Sequence, residues 1–366
     1  MTSRLEEMIS VIMPVFNAEN TVGRTISSLL NQSVQNFELI IVDDGSTDST
    51  AEVCAQFDSE KIVCCRQENA GPAAARNTGL TMARGSLICF VDADDTVRED
   101  YLRTLSDCIE GADLAVCGYN EVTDDGIQAA DTAASPQTGG TLEAPDTARE
   151  AVIPESADIA ENPENPEDSC ITETADSVME RILYDDTIGG FLWNKIFRKS
   201  LIDMNGLTFS RNIFVGEDLY FVERYLAGCS TVKITDKKLY NYHSSAESIS
   251  RVMNEKTLTF LRALEKISGL SDRPAFVKAA SVRYVRQFLS FAAYFPDRQC
   301  PPGRLSSFLK NTGLPRKEVF AGLTRNYKIK YVLYHTNRTL YRKIMSSRKK
   351  AEKQAEKQAE KQAEIK

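Results

Sequence analysis

Short apolar runs alternate with segments of helical periodicity over the first 120 residues, and this alternation constrains the fold more than any other feature. The runs predicted to be strands are Ile9–Val15, Phe37–Val42, Lys61–Arg66, Ser86–Asp92 and Asp113–Tyr119. The helices predicted between them cover 20–31, 49–57, 72–84 and 98–109. Strands that alternate with helices favour a mainly parallel sheet covered by helices, so the expected fold class is α/β. Ligands of such sheets bind outside the carboxyl ends of the strands.

Changes in composition divide the 366 residues into five predicted segments. In order they are the α/β segment 1–122, an acidic insertion at 123–172, a second folded segment at 173–254, a helical region at 255–346 and a helical tail of repeated Ala-Glu-Lys-Gln at 347–366. Within the second folded segment, a strand is predicted near Thr231–Ile234, and Leu239–Ser250 is expected to be folded. The insertion has too little apolar surface to offset its ordering entropy, so it is predicted to be disordered. A passive solvated loop and a regulatory or docking segment are both open interpretations.

The net charge of −8 is unevenly distributed along the chain. From Asp124 to Asp176 fourteen acids stand against one base, Arg149, which gives −13 for this stretch and leaves +5 for the rest. The folded part is therefore expected to be mildly basic.

Targeting and redox signals are weak in this sequence. No apolar run approaches the roughly 20 residues that cross a bilayer, and the N-terminus lacks the charged and apolar regions of a secretory signal. A cytoplasmic location is therefore expected.

The nine cysteines show no Cys-x-x-Cys pairing. Reduced thiols are predicted in place of disulfides or a zinc site.

The segment 325–350 is strongly basic. Between Arg325 and Lys350 nine Lys or Arg and no acid are interleaved with aromatic and aliphatic residues. Such a segment could lie peripherally on an anionic membrane surface. A helix packed on the domain with a solvated basic face explains the pattern equally well, so the sequence leaves both interpretations open.

Carboxylates follow two of the predicted strands. The fourth strand leads into Asp92-Ala93-Asp94-Asp95. Clustered carboxylates repel one another unless a cation is present, so Asp92 and Asp94 are candidate ligands of Mn²⁺ or Mg²⁺ bridging a diphosphate. The second strand ends in Asp43-Asp44-Gly45. A carboxylate there could accept hydrogen bonds from a base or ribose hydroxyl, and a purely structural turn is the alternative.

A loop of small residues precedes the third predicted helix. Residues 69–77 let the backbone approach a ligand and offer Arg76 as a partner for polar base or phosphate oxygens. Neither a Walker loop nor Gly-x-Gly-x-x-Gly occurs, which excludes ordinary ATPase and dinucleotide-binding functions. A sugar nucleotidyltransferase would need a basic loop after the first strand, and residues 17–20 do not supply one.

Together these segments resemble the family-2 glycosyltransferases with the GT-A fold. Four motifs carry the resemblance in matching order, at 11–17, 43–48, 69–77 and 92–95. The resemblance implies a Rossmann-like sheet, with 1–122 as the nucleotide-sugar-binding half and 173–254 as the acceptor and catalytic half. The donor-binding residues it implies are Pro14, Phe16, Asp44, Arg76 and Asp92. Asp92 and Asp94 would hold the ribose, the metal and the diphosphate.

The second half of the chain resembles the same family in three pieces. The segment 191–197 is similar to the acceptor-side segment and implies roles for Trp193 and Lys195, although a single tryptophan is often core. The segment 216–221 is similar to the Glu-Asp motif. It implies that Asp218 is the catalytic base and that Glu217 orients the site, whereas an acidic helix start is the structural alternative.

The third piece, residues 239–250, is similar to the segment that closes over the diphosphate. His243 stands there in place of a more frequent arginine, and Ser248 follows it. The sequence leaves open whether His243 contacts phosphate, contacts metal or only packs.

The resemblance implies a non-processive, inverting glycosyltransferase of the bacterial cell-envelope polysaccharide type. One sugar would pass from a nucleoside diphosphate sugar, a UDP-sugar by family frequency, to a hydroxyl of a cell-envelope glycan or lipid-linked acceptor. The Gln-x-x-Arg-Trp segment of processive synthases is absent from the sequence. No nucleic acid is expected as a partner. A non-catalytic scaffold that binds nucleotide or membrane, and a sugar nucleotidyltransferase, are the alternative functions.

Overall fold

The computed structural model describes residues 7–123, 126–128, 170–184, 188–243 and 253–347. Two compact units divide the chain: the first contains 1–144 and 150–270, and the second contains 145–149 and 271–366. Most of the predicted acidic insertion at 123–172, and all but the first residue of the tail at 347–366, lie outside the described residues. The five-part division of the chain stays a prediction. None of the described helices combines the length and apolar composition that a membrane-spanning segment needs.

A mixed sheet forms the centre of the first unit. Its strands are β1 (Ile9–Val15), β2 (Phe37–Asp43), β3 (Ile62–Arg66), β4 (Leu87–Phe90), β5 (Thr96–Val97), β6 (Leu114–Thr123), β7 (Gly126–Gln128), β8 (Ile171–Thr174), β9 (Lys195–Arg198) and β10 (Thr231–His243). The main strand order is β3-β2-β1-β4-β9-β6-β10-β5, with β7 beside β6 and β8 beside β10. The predicted alternation of strands and helices is confirmed.

Helices flank this sheet in the first unit, and further helices make up the described part of the second unit. The first unit contains α1 (Val22–Leu30), α2 (Thr50–Cys54), α3 (Pro72–Met82), α4 (Tyr101–Cys108), α5 (Ala175–Tyr184), α6 (Lys199–Met204), α7 (Glu217–Leu226), a 3₁₀ turn (Glu255–Leu258) and α8 (Thr259–Ile267). The second contains α9 (Pro274–Tyr294), α10 (Pro302–Asn311), α11 (Arg316–Gly322), α12 (Arg325–Thr336) and helical residues 338–347.

The parallel core of the sheet is buried on both faces. β1 pairs in parallel with β2 and with β4, and every residue of β2 is buried. Strands covered on both faces are continuous apolar runs, which is why 9–15 and 37–43 are so rich in Ile and Val. The α3 helix packs directly on β1, because a Cβ placed on Gly79 would lie 2.4 Å from Ile12 Cγ2.

The other half of the sheet departs from the expected mainly parallel arrangement. β9 lies between β4 and β6 and is antiparallel to both. β10 is parallel to β6 but shifts register between Ile234 and Lys238. The strand predicted near Thr231–Ile234 is therefore the first part of one longer, irregular strand that ends at His243. β5 and β8 also pair with β10 in the antiparallel sense. The α/β class is confirmed, and the sheet is mixed.

One disulfide corrects the prediction of reduced thiols. Cys108, the last residue of α4, is bonded to Cys170 just before β8, with Cα atoms 6.2 Å apart. The other seven cysteines are free. No spacing pattern pointed to this disulfide, because 62 positions and the acidic insertion separate its two cysteines.

The second unit has its own apolar core, built around α9. Tyr284 of α9 stacks on Phe308 of α10, with ring centroids 3.7 Å apart. Tyr341 is fully buried and donates a 2.6 Å hydrogen bond to the Leu289 carbonyl. These contacts hold the helices after residue 300 against α9.

Candidate active site

One buried arginine joins three carboxylates at the carboxyl end of the sheet. Arg76, on α3, places Nη2 3.2 Å from Asp92 Oδ1 and Nη1 3.1 Å from Glu217 Oε1. The same Nη1 lies 3.0 Å from Asp218 Oδ1. The Arg76 side chain is 7% exposed, whereas those of Asp92 and Asp218 are 31% and 27% exposed. Solvent and ligands can therefore reach Asp92 and Asp218, but hardly the buried Glu217 or the guanidinium.

The start of α7 supplies two of these carboxylates. Glu217 and Asp218 occupy its first turn, after Gly216 in the left-handed conformation with φ of 84°. A side chain on Gly216 would be strained by this φ and would also lie 2.3 Å from Phe260 Cδ2. Glycine is therefore required for α7 to begin where Glu217 meets Arg76.

The electrostatics of this cluster follow from its burial and its imbalance of charge. Burial alone would lower the pKa of Arg76, but Asp218, Asp92 and Glu217 raise it above the ordinary value. Burial raises the pKa of Glu217 well above its ordinary range, Asp218 adds to the shift, and Arg76 opposes it. Burial also raises the pKa of Asp218, again against the effect of Arg76. One cation serves three carboxylates, so Asp218 is a stronger base than an ordinary aspartate.

Aromatic rings form an apolar wall behind the cluster. Phe209 and Phe221 stack with centroids 4.2 Å apart, and the Arg76 guanidinium carbon lies 5.7 Å from the Phe209 ring centroid. Phe90, at the end of β4, packs edge-on against both rings. This wall lowers the local dielectric and strengthens the charge interactions beside it.

The three acidic side chains after β4 lie in different surroundings. Asp92 faces Arg76. Asp94 is an exposed residue, yet burial of its carboxyl among protein atoms and repulsion from Asp92 raise its pKa to about 6. Asp95 is fully buried and accepts hydrogen bonds from Tyr240 Oη at 2.6 Å and from the His243 amide at 2.8 Å. The motif therefore splits into two outward carboxylates and one internal anchor.

Asp92 and Asp94 fit a divalent cation by their chemistry. Both are hard oxygen donors, and the repulsion that raises the Asp94 pKa is what a bound cation would relieve. Within the described ranges, no three His, Cys, Asp or Glu side chains are grouped to hold a metal. Two carboxylates leave further coordination positions for substrate oxygens and water.

The β2 terminus holds one satisfied and one incompletely satisfied carboxylate. Asp44 accepts hydrogen bonds from the Gln67 side chain and from the amides of Ala70 and Gly71, at 2.7 to 3.0 Å. Asp43 Oδ2 is buried, and no hydrogen-bond donor among the described residues reaches it, although Arg66 Nη1 lies 3.6 Å away. Asp44 thus fixes the loop before α3. Asp43 Oδ2 is a buried oxygen that can still accept a hydrogen bond.

The β1 terminus places an aromatic ring at the surface. Phe16 is 47% exposed, and Pro14, two residues earlier in β1, is partly buried. Asn17 adopts a positive φ of 48° and is held by Ser46, whose hydroxyl accepts its amide at 3.0 Å. This contact brings the ends of β1 and β2 together, as parallel neighbours require.

Trp193 and Lys195 are both buried. Trp193 stacks between Phe191, at 4.7 Å, and Tyr240, at 4.4 Å between centroids. Lys195 Nζ donates to the carbonyls of residues 188, 189 and 191 and to the Asn194 side chain. Burial lowers the pKa of Lys195 to about 7, while Cys117 and Asp218 oppose the shift. Their observed contacts order the loop before β9, and their acceptor-side role stays a prediction.

His243 ends β10 beside the acidic motif. Its amide is bonded to Asp95, and its ring Nε2 lies 3.1 Å from Thr96 Oγ1. Burial lowers the pKa of His243, and Arg24 adds to this effect. Ser248 lies outside the described residues.

The structure brings together Arg76, Asp92, Glu217 and Asp218, which the sequence proposed from separate motifs. Among the described residues, the guanidinium of Arg76 donates hydrogen bonds to Glu217, Asp218 and Asp92, so its contact with a nucleobase stays a prediction. Tyr240 was missed: its hydroxyl also accepts the Asp92 amide at 3.2 Å. Its position within the segment 239–250 was the only signal for it in the sequence.

The chain is similar to known proteins in both sequence and fold. The family model described as Glycosyl transferase family 2 matches residues 10–135. The glycosyltransferase GlyA of Streptococcus pneumoniae serotype 4 is 30% identical over 277 residues, which cover 74% of this chain and 34% of GlyA. WfgD of Escherichia coli, a UDP-Glc:alpha-D-GlcNAc-diphosphoundecaprenol beta-1,3-glucosyltransferase, is 44% identical over 89 residues, or 24% of this chain and 35% of WfgD. The chain spans about a third of the length of these two relatives.

A solved structure covers nearly the whole chain. The crystal structure of S. aureus TarS 1-349 in complex with UDP-GlcNAc aligns with a TM-score of 0.66 at 18% identity. The alignment covers 94% of this chain and 92% of that chain. At this identity the likeness shows a shared fold.

Proposed function

This chain belongs to glycosyl transferase family 2 and has the GT-A fold, and from that premise we propose that it transfers one sugar from a UDP-sugar to an acceptor hydroxyl with inversion. The observation that carries the proposal is the convergence of Asp92, Glu217 and Asp218 on Arg76. Motifs that are 142 positions apart in sequence meet within hydrogen-bond distance at the sheet edge where α/β folds bind ligands.

Asp218 is the proposed general base. Its carboxylate is partly exposed, and its pKa is raised, so it can accept a proton more readily than an ordinary aspartate. The acceptor oxygen forms a bond to the anomeric carbon as the bond from that carbon to the diphosphate oxygen breaks. The hydroxyl proton passes to Asp218, and the nucleoside diphosphate leaves with the electron pair. A single displacement of this kind inverts the anomeric centre.

The uridine diphosphate donor is supported by the relatives. WfgD is named for UDP-Glc, and TarS was crystallised with UDP-GlcNAc. In this chain, Asp43 Oδ2 is a buried acceptor suited to an N–H of a nucleobase, and the exposed Phe16 ring stands beside the same strand ends. Pro14 completes this proposed base site, while Asp44 supports the loop that carries Arg76.

Asp92 and Asp94 are the proposed ligands of Mn²⁺ or Mg²⁺. When bound, the cation would offset negative charge on the departing diphosphate. His243 and Ser248 are proposed for the segment near that diphosphate. Trp193 and Lys195 are proposed to shape the acceptor side through the loop at 188–191.

The acceptor proposed is a cell-envelope glycan or its lipid-linked precursor, with one sugar added per encounter. The name of WfgD, which includes a diphosphoundecaprenol acceptor, supports this class. A cytoplasmic place of action is proposed with it.

Calorimetric titration of the full chain tests the donor site. UDP, UDP-Glc, UDP-GlcNAc and the corresponding guanosine and cytidine diphosphates are titrated with and without Mn²⁺. We expect metal-dependent binding of a uridine compound, weakened by Asp94→Asn and unchanged by Asp203→Asn, which alters an exposed acid on α6. If none of these nucleotides binds, the transferase proposal is wrong and a non-catalytic scaffold takes its place.

A further inference from the structure

The helix α12 exposes apolar side chains on the side opposite to its buried face. Tyr327 and Tyr334 are buried, and their spacing of seven residues places them on one side of the helix. Ile329 and Val332 are 58% and 49% exposed on the other side. The helix thus contributes one face to the core of the second unit and leaves a second apolar face uncovered.

The following helical residues repeat the arrangement. Tyr341 is fully buried, whereas Leu340 and Ile344 are 43% and 37% exposed. Leu340 and Ile344 are four residues apart and therefore neighbours on the helix surface. The exposed Lys343 lies between them in sequence. Four of the large apolar residues exposed in this unit fall within residues 329–344.

Basic side chains surround these apolar residues. The described residues 325–347 contain six Lys or Arg and no acid. Asp297 forms ion pairs with Arg338 and Arg342, which offsets one charge of this group. Lys330 Nζ lies 4.7 Å from the centroid of the buried Tyr327 ring. We define the basic apolar face by three other cations and four exposed apolar side chains: Arg325, Lys328, Lys343, Ile329, Val332, Leu340 and Ile344.

We propose that the basic apolar face binds the surface of an anionic lipid bilayer. The apolar side chains enter the headgroup region, and the Lys and Arg ammonium and guanidinium groups lie near lipid phosphates. Charge complementarity selects this partner: each Lys or Arg near such a surface adds attraction to the anionic headgroups, and the apolar residues add their burial. The alternative is a helix that packs its aliphatic side chains on the domain and exposes only its cations to solvent. In α12, however, the aliphatic side chains of Ile329 and Val332 are exposed.

This attachment is independent of the chemistry at Asp218. It would bring the chain to a membrane whether or not it transfers sugar. Its test therefore measures lipid binding, and its failure would leave the donor-site titration unaffected.

The test is cosedimentation of the full chain with vesicles. Vesicles of phosphatidylcholine containing about one-third phosphatidylglycerol are compared with pure phosphatidylcholine, at low and high salt. We expect at least about tenfold tighter binding to the anionic vesicles and loss of that preference at high salt, as screening requires. Equal binding to both vesicles, or binding to neither, overturns the proposal.

Two double variants locate the surface. Ile329→Ser with Val332→Ser removes apolar area. Arg325→Glu with Lys343→Glu reverses two charges: Arg325 is the first residue of α12, where a glutamate suits the helix dipole, and Lys343 lies in the helical residues 338–347. Each should weaken anionic-vesicle binding at least about tenfold. Met204→Ser, at a residue 77% exposed, and Arg262→Glu, also exposed, are the matched controls in the first unit. Equal weakening by the controls, or none by the double variants, places binding elsewhere and overturns the proposal.

Circular dichroism checks that each variant is folded. If a variant unfolds, the salt dependence of vesicle binding by the unaltered chain still decides the question.

Discussion

Arg76 Nη1 lies 3.0 Å from Asp218 Oδ1, and this ion pair links α3 to the first turn of α7 across 142 positions of sequence. The pair makes the proposed base part of a shared network, because the same guanidinium also binds Asp92 and Glu217. A change at any member alters the charge balance of the others.

Asp218→Asn should abolish most transfer and leave donor binding unchanged. The amide keeps the size and one acceptor for Arg76 but loses the basic carboxylate, so we expect a fall in kcat of about 10²- to 10⁴-fold. Steady-state transfer and donor titration measure the two effects separately. Asp203→Asn, at an exposed acid paired with Lys199, is the control and should retain full activity. Full activity in Asp218→Asn would remove this residue from the mechanism.

Gly216→Ala should destabilise the first unit more than Gly111→Ala. Both glycines have positive φ, so both substitutions cost about 1 to 2 kcal/mol in backbone strain. Only at Gly216 would the new Cβ also overlap Phe260, at 2.3 Å, which adds about 1 to 3 kcal/mol. Urea unfolding measures the difference, and activity should fall with it because Glu217 and Asp218 follow directly. Equal destabilisation by the two substitutions would contradict the packing argument.

Tyr240→Phe should weaken metal-dependent donor binding. The substitution keeps the stacking on Trp193 but removes the hydroxyl that bonds Asp95 and the Asp92 amide. The free energy of unfolding, measured with urea, should fall by about 1 to 3 kcal/mol, because buried partners are left unsatisfied. Calorimetry with Mn²⁺ and a uridine nucleotide measures the separate loss of donor affinity. Tyr220→Phe, on α7, is the comparison, and an identical effect there would refute the anchoring role of Tyr240.

Lys195→Met should remove a specific pH dependence of stability. The pKa of Lys195 is about 7 in the folded protein, below that of the unfolded chain, so between these values the unfolded state holds one more proton. Stability from this group therefore rises with pH above 7, by about 1.4 kcal/mol per unit. The difference in unfolding free energy between the unaltered chain and Lys195→Met should widen from pH 7 to pH 9. A constant difference would mean that the buried amine keeps its proton throughout this range.

Much of the first half of the fold was predictable because its signals are local. The apolar runs at 9–15 and 37–42 located β1 and nearly all of β2, because strands that are buried on both faces are unbroken apolar runs. β9 has only four residues and follows Trp193 and Asn194, so its pattern does not distinguish a strand from a loop. Its antiparallel position between β4 and β6 is a tertiary relationship without a local signal.

The site was predictable as a set of residues but not as a set of contacts. The motifs placed Asp92 and Asp218 among the candidates, whereas the ion pairs through Arg76 depend on how distant segments meet. Asp44 was expected to face the nucleotide, yet its carboxylate is bonded to the loop at 67–71. The internal role of Asp95 was hidden because three adjacent acids look alike in sequence, and only burial separates them.

The position of β9 has a consequence for the order in which the sheet can be completed. During synthesis, β4 and β6 leave the ribosome before residues 195–198, and neither can pair with the other across the gap that β9 fills. Until then each presents an open edge of unpaired backbone groups, on which a nascent chain can aggregate or bind a chaperone. β10, the other main neighbour of β6, is synthesised later still, so a chain that stops before residue 198 leaves β6 without β9 or β10. In such a chain the charged cluster, which needs α7, would also be missing its proposed base.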